Sequence, residues 1–220
     1  CWASANAAST SGGVSYEIPN GDNVQSCSSA DVVLIAGTQF ELGATPSSYI
    51  PTAGATVTRA AEILTVPAAN LPYNSTNMAI QIDGKMTYAD RDMVLNVQPY
   101  RWKLNSTNYI ETKLRTSGVR EGQTSFSQRQ STSGLQDSEG GSLDYSPDIN
   151  VPFNMASRHG NTFIQGAHDG TLLTANTTPT ILAGLSSTDL KLGYNFMGTI
   201  GQFRMWDEDL GDTGITEAST

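Results

Sequence analysis

Apolar residues recur at every second position along much of this chain. Met78, Ile80 and Ile82 are separated by Ala79 and Gln81; Tyr100, Trp102 and Leu104 share one face of a later segment. Ile110, Thr112 and Leu114 stand opposite Tyr109, Glu111 and Lys113, and Met93, Leu95 and Val97 repeat the pattern. A period of two sends successive side chains to opposite faces of an extended strand, and no helix-length 3.6-residue period competes with it. Turn chemistry divides these segments. Asp83-Gly84 predicts a hairpin, residues 105–108 a second turn, and His168, Asp169 and Gly170 a third. Residues 31–36, 150–156, 162–165, 190–193 and 200–206 read as further strands, with residues 158–161 connecting the second and third of these. Residues 115–145, rich in Ser, Gly and Gln, leave their strands undefined and allow a long surface loop. Pro46 and Pro51 lack a backbone donor, so residues 44–57 are expected to be an extended connector rather than sheet interior.

Composition agrees with many short strands. The 220 residues include 21 Gly, only 15% are charged, and much of the polarity comes from Ser, Thr, Asn and Gln. The balance of 12 basic to 21 acidic residues gives a net charge of −9. Nucleic acid needs clustered Lys and Arg to displace phosphate counterions, so it is not an expected partner. No stretch approaches the roughly 18 to 20 apolar residues of a membrane-spanning helix, so membrane insertion is not expected. The chain begins at Cys1 rather than Met, which predicts a processed or fragmentary product. Cys1 and Cys27 allow a disulfide, or a lipid attached at Cys1; the pair forms no metal motif.

Candidate chemistry points to binding rather than catalysis. A sandwich hydrolase carries its two carboxylates on one strand, roughly 5 Å apart for retention, and no E-x-D-x-x-E strand is present. Asp207, Glu208 and Asp209 follow the last strand and are expected in a solvated turn. His159 and His168 lie nine residues apart without metal or catalytic spacing and are expected on the surface. There is no nucleophile elbow, phosphate loop or dinucleotide fingerprint. An enzyme is therefore not expected. Sugar binding needs an exposed aromatic ring with polar groups beside it, and Tyr100, Trp102 and Tyr109 form the best aromatic cluster for a glycan site. Trp206 is a further aromatic, either exposed or sealing an edge. No cofactor is expected; calcium is an option because Asp144, Asp148 and Asp189 supply hard oxygens, although their spacing fits no loop motif. Asn74, Asn105 and Asn176 open N-x-Ser/Thr sequons.

The segments QFELG at 39–43, TPSSYIPT at 45–52 and VTRAA at 57–61 resemble a linker of tailed-bacteriophage structural proteins. There it joins a jelly-roll segment to a laminin-G-like, concanavalin A-like lectin sandwich. VPFNMA at 151–156 and IGQFRMW at 200–206 are similar to the closing elements of that sandwich, so the likeness spans residues 30–216. It departs from the pattern where His168, Asp169 and Gly170 replace a V-N-G turn. The final helical turn also looks cut short by Gly211 and Gly214. The resemblance implies an all-β fold: a concanavalin A-like antiparallel β-sandwich (jelly roll), preceded by a short β segment and an extended linker. It divides the chain into the tail of an upstream jelly roll at 1–43, the linker at 44–57 and the sandwich at 58–220. It further implies a non-enzymatic virion surface protein, a tail-fibre or decoration component. Its partners would be other virion proteins, copies of itself as a trimer, and a host-cell glycan. The alternative is a carbohydrate-active enzyme (glycoside hydrolase or polysaccharide lyase) or its secreted carbohydrate-binding module.

Overall fold

The alternating segments form strands and pair in two antiparallel sheets. The computed structural model describes residues 49–51, 53–55, 57, 64–88, 97–114, 123–131, 136–139 and 150–220. The chain divides into two units, Cys1–Ala60 and Ala61–Thr220, and both sheets belong to the second. The residue 31–36 strand, most of the 44–57 connector, Met93, Leu95, Asp144 and Asp148 lie outside the described residues.

The strands are β1 (Leu64–Val66), β2 (Asn77–Tyr88), β3 (Gln98–Asn105), β4 (Asn108–Leu114), β5 (Thr124–Arg129) and β6 (Gln136–Glu139), then β7 (Pro152–Gly160), β8 (Ile164–His168), β9 (Thr171–Leu172), β10 (Leu190–Tyr194) and β11 (Met197–Trp206). One sheet has the order β1-β10-β3-β4-β5-β6 and the other β11-β2-β7-β8-β9. A β-sandwich results, as its sequence pattern predicts. The core lies between the sheets. Met78, Ile80 and Ile82 of β2 and Phe153 and Met155 of β7 meet Tyr100, Trp102, Ile110, Phe126, Leu190 and Leu192. Leu104, expected to share the face of Tyr100 and Trp102, is exposed instead, because it lies at the end of β3 next to the turn.

Two turn signals had different outcomes. Asp169 and Gly170 both take positive φ, 44° and 74°, and make the tight turn between β8 and β9. Asp83-Gly84 makes no hairpin; β2 runs through it without a break. Gly84 serves a close approach there, since a Cβ would lie 2.5 Å from the Thr199 carbonyl oxygen on β11. The β2–β11 register shifts between Ile200 and Phe203, and Asp83 Oδ1 accepts a bond from the Gln202 amide (3.0 Å) at that bulge. Asp-Gly is thus used for backbone proximity rather than reversal.

At Gly166 of β8 the two sheets approach each other closely. A Cβ built on it would lie 2.0 Å from the Phe126 ring, which is wholly buried. Gly166→Ala is expected to cost about 1–3 kcal/mol through overpacking. Chemical denaturation reads this directly; an unchanged midpoint would mean that the ring has room to move.

A polar network crosses the core. The Tyr100 hydroxyl lies 2.8 Å from Ser157 Oγ and 3.4 Å from His159 Nε2. Gln128 donates to the carbonyls of Gly160 and Thr180, which leaves its Oε1 as the acceptor 3.3 Å from His159 Nδ1. This pattern assigns the ring proton to Nδ1, with Nε2 accepting from a hydroxyl. His159 is therefore a core residue of β7 with no exposed surface, not the surface histidine expected. His168 ends β8 and is partly buried, and burial lowers its pKa against the pull of Asp169.

Residues 173–189 close the core without forming a strand. Leu173, Leu182, Ala183 and Leu185 are buried. Side chains from the sheets bind the backbone of this segment: the Trp102 indole donates to the Thr188 carbonyl (2.6 Å) and the Tyr73 hydroxyl to that of Ala183 (3.0 Å). Buried loop backbone needs such partners.

The outer face of the five-stranded sheet is covered by helix α1 (Gly211–Ala218). Ile215 packs on Ala156 and Ala167, and Asn154 donates to the carbonyls of Ala218 and Thr220. The helical turn expected to stop at Gly214 continues, because tertiary packing overrides the poor helix propensity of its glycines. Asp207, Glu208 and Asp209 are exposed in the bend after β11, as expected, and Asp209 also has a structural role. It pairs with Arg158 (3.1 Å) and accepts from the Gly211 amide (2.9 Å), while Asp212 pairs with the same guanidinium. The sequons also have a local role: Asn74, Asn105 and Asn176 each accept from the amide of the Thr two residues on, at 2.9 Å. These are side-chain-closed turns.

Candidate carbohydrate-binding face

The aromatic cluster chosen from sequence is not a sugar platform. Tyr100 and Trp102 are 0% exposed and Tyr109 is 6% exposed. Alternation points Tyr100 and Trp102 between the sheets, where burying such rings gains more than exposing them. Trp206 is partly buried. Asp189 accepts from the Ala68 amide (2.8 Å), and among the described residues no three His, Cys, Asp or Glu side chains come together as a metal site.

The opposite face of the six-stranded sheet is polar. Register puts Lys191, Arg101, Glu111 and Ser127 in one row across β10, β3, β4 and β5. Lys103, Tyr109 and Arg129 form a second row, and Lys113 and Ser125 a third. Glu111 anchors the centre. It accepts from Gln98 Nε2 (2.5 Å), lies 2.9 Å from Lys113 Nζ and 3.9 Å from Arg101 Nε. Tyr109 is on this face, with Lys103 Nζ 5.5 Å from its ring centroid, but it is almost covered.

An aromatic ring that the pattern did not single out stands open here. Strict alternation would send Tyr194 inward after Leu190 and Leu192. Gly193, with φ 70°, breaks the alternation, and Tyr194 turns outward with 41% of its surface exposed. The Arg101 guanidinium carbon lies 4.3 Å from its ring centroid. The only sequence signal for this was the glycine before the tyrosine, since a positive φ inside a strand marks a bulge or a re-aimed side chain.

Towards β4 and β5 the face is closed. Ser125 and Ser127 are fully buried, and among the described residues their hydroxyls and the buried Arg101 Nε have no hydrogen-bond partner. Towards β10 it is open: Lys191 and Tyr194 are exposed and Arg101 and Lys103 partly so. The open half offers an aromatic ring and several cations beside the engaged carboxylate of Glu111.

No protein-family model matches this sequence, and no curated protein does. Solved structures match the fold. Domain 4 of AbnA, a GH43 extracellular arabinanase from Geobacillus stearothermophilus solved with arabinotriose, has a TM-score of 0.54 at 14% identity, over 72% of each chain. The CBM40 domain of the Ruminococcus gnavus IT-sialidase, bound to α2,3 sialyllactose, has a TM-score of 0.54 at 12% identity, over 73% of this chain and 97% of that one. The binding domain of botulinum neurotoxin serotype D has a TM-score of 0.51 at 12% identity, over 66% of this chain and 37% of the toxin domain. These likenesses establish the sandwich fold of this chain.

Proposed function

We propose that this chain is a non-catalytic carbohydrate-binding domain that holds its glycan on the open half of the six-stranded sheet. The exposed Tyr194 ring, with the Arg101 guanidinium beside it, carries this reading. A pyranose packs its apolar face on such a ring while neighbouring charged and polar groups take its hydroxyls. The neighbours solved with arabinotriose and sialyllactose support it, as domains of the same fold that hold oligosaccharides. Glu111 is bound by Gln98 and Lys113, so this carboxylate is poorly placed to act as a free acid or base.

The setting follows from the linker resemblance at 39–61: a tail-fibre or decoration component of a virion surface, assembled with other virion proteins or as a trimer, presenting the domain to host-cell glycans. The other setting is a binding module of a secreted carbohydrate-active enzyme, which the arabinanase and sialidase neighbours favour.

Glycan-array screening followed by calorimetry on the leading ligand tests the binding reading. Tyr194→Ala is expected to weaken binding by about tenfold or more, with the melting temperature unchanged because the ring is exposed. Binding equal to wild type would move the site away from this face.

A further inference from the structure

We infer that the ligand of this face is an acidic sugar whose carboxylate is held between Arg101 and Lys191. The inference rests on the carbohydrate-binding reading and adds the charge class of the glycan. Lys191 and Arg101 stand directly opposite each other on β10 and β3. Like charges facing across an antiparallel pair repel. The carboxylate nearest in register, Glu111, already serves Lys113 and Gln98, and it stands 3.9 Å from Arg101 Nε without a hydrogen bond. The register places Lys191, Arg101 and Lys103 on the β10–β3 half of the face, while its acidic residues, Glu111, Asp137 and Glu139, stand on β4 and β6; the whole chain carries −9. A concentration of positive charge on an acidic chain selects an anion.

The geometry of the donors narrows the class further. A guanidinium presents paired N–H groups in a planar fork that suits a carboxylate, and the Arg101 side chain is partly exposed. Tyr194 fixes the plane of that fork from one side, which leaves the sugar ring to stack beside it. A neutral glycan would place no charge between Lys191 and Arg101.

Calorimetry on the whole 220-residue chain tests this with matched pairs: trigalacturonate against its methyl ester, and 3′-sialyllactose against lactose. In at least one pair the acid is expected to bind about tenfold tighter than its neutral counterpart, and the two pairs separate a uronate from a sialate source. The advantage should shrink as ionic strength rises, because the site is partly exposed. Lys191→Glu, at an exposed position, should abolish the advantage of the acid over its neutral counterpart. Equal affinity for acid and neutral forms, still lost in Tyr194→Ala, would overturn the acidic-sugar inference while sparing the carbohydrate reading. Binding of neither form of either pair, nor of any array glycan, would overturn both. A sulfated disaccharide that binds tighter than either carboxylate would overturn the carboxylate assignment.

Discussion

Trp102→Ala is expected to destabilise the sandwich by about 3–5 kcal/mol, which for a domain of this size is a large share of its stability. The indole is wholly buried, meets the Tyr73 ring edge-on (centroids 5.6 Å, interplanar angle 89°) and donates to the Thr188 carbonyl. Truncation would remove the ring contacts, open a cavity beside Leu190 and leave a buried carbonyl without its donor. Trp102→Phe separates these contributions, since it retains most of the apolar volume and loses only the N–H. Urea unfolding should place Trp102→Phe between wild type and Trp102→Ala. If both variants unfold with wild type, the residue 173–189 segment is not anchored through the indole. A loss of glycan binding in Trp102→Ala would report unfolding and not a lost contact.

Acid should remove a second large contribution, through His159. Burial lowers its pKa from 6.5 to about 3. The neutral ring is kept by the network, while the unfolded chain takes up a proton near pH 6.5. Above that pH the contribution is fully present. As pH falls towards 3 the unfolded state binds the proton and the folded state does not, so stability declines by about 1.4 kcal/mol per pH unit, or roughly 4–5 kcal/mol across the window. Tyr100 stays neutral throughout, its pKa raised by burial and by the charge of Glu111 against the hydrogen bond from Ser157. Carboxylates elsewhere also titrate in acid, so the informative quantity is the difference between wild type and His159→Gln. That difference should narrow from pH 6.5 down to about 4. Parallel stability curves would show that His159 is not the group that takes the proton.

Period two made the strands legible because each face has its own solvent: inward positions of β2, β3 and β4 are apolar and outward ones polar. The same rule contained the position of His159, since Phe153, Met155, Ser157 and His159 share the inward face of β7. Residue type concealed it, because histidine in isolation reads as a surface group and its partners Tyr100 and Gln128 come from distant strands. Helix α1 was hidden for a related reason. Its glycines oppose a helix locally, and its stability comes from Ile215 docking on two alanines that the sequence places far away. Tyr194 is legible only once the φ of Gly193 is known, so the best candidate contact of the site lay outside the pattern that found the fold. Tyr100 and Trp102 of the aromatic cluster are core residues and Tyr109 is almost covered on the outer face, as composition alone cannot tell a buried ring from a presented one.

The bulge on β11 also bears on how these domains tolerate crowding. A strand at the margin of a sheet is a template on which another chain can add itself, and the risk grows with the length of uninterrupted backbone. β1, β6 and β9 have three, four and two residues, too short to seed such growth. β11 is the long margin, at ten residues, but its pairing with β2 shifts after Met197 and again after Ile200. An incoming strand would find donors and acceptors in step only from Phe203 to Trp206. Two copies meeting along this margin would therefore find little backbone on which to merge their sheets.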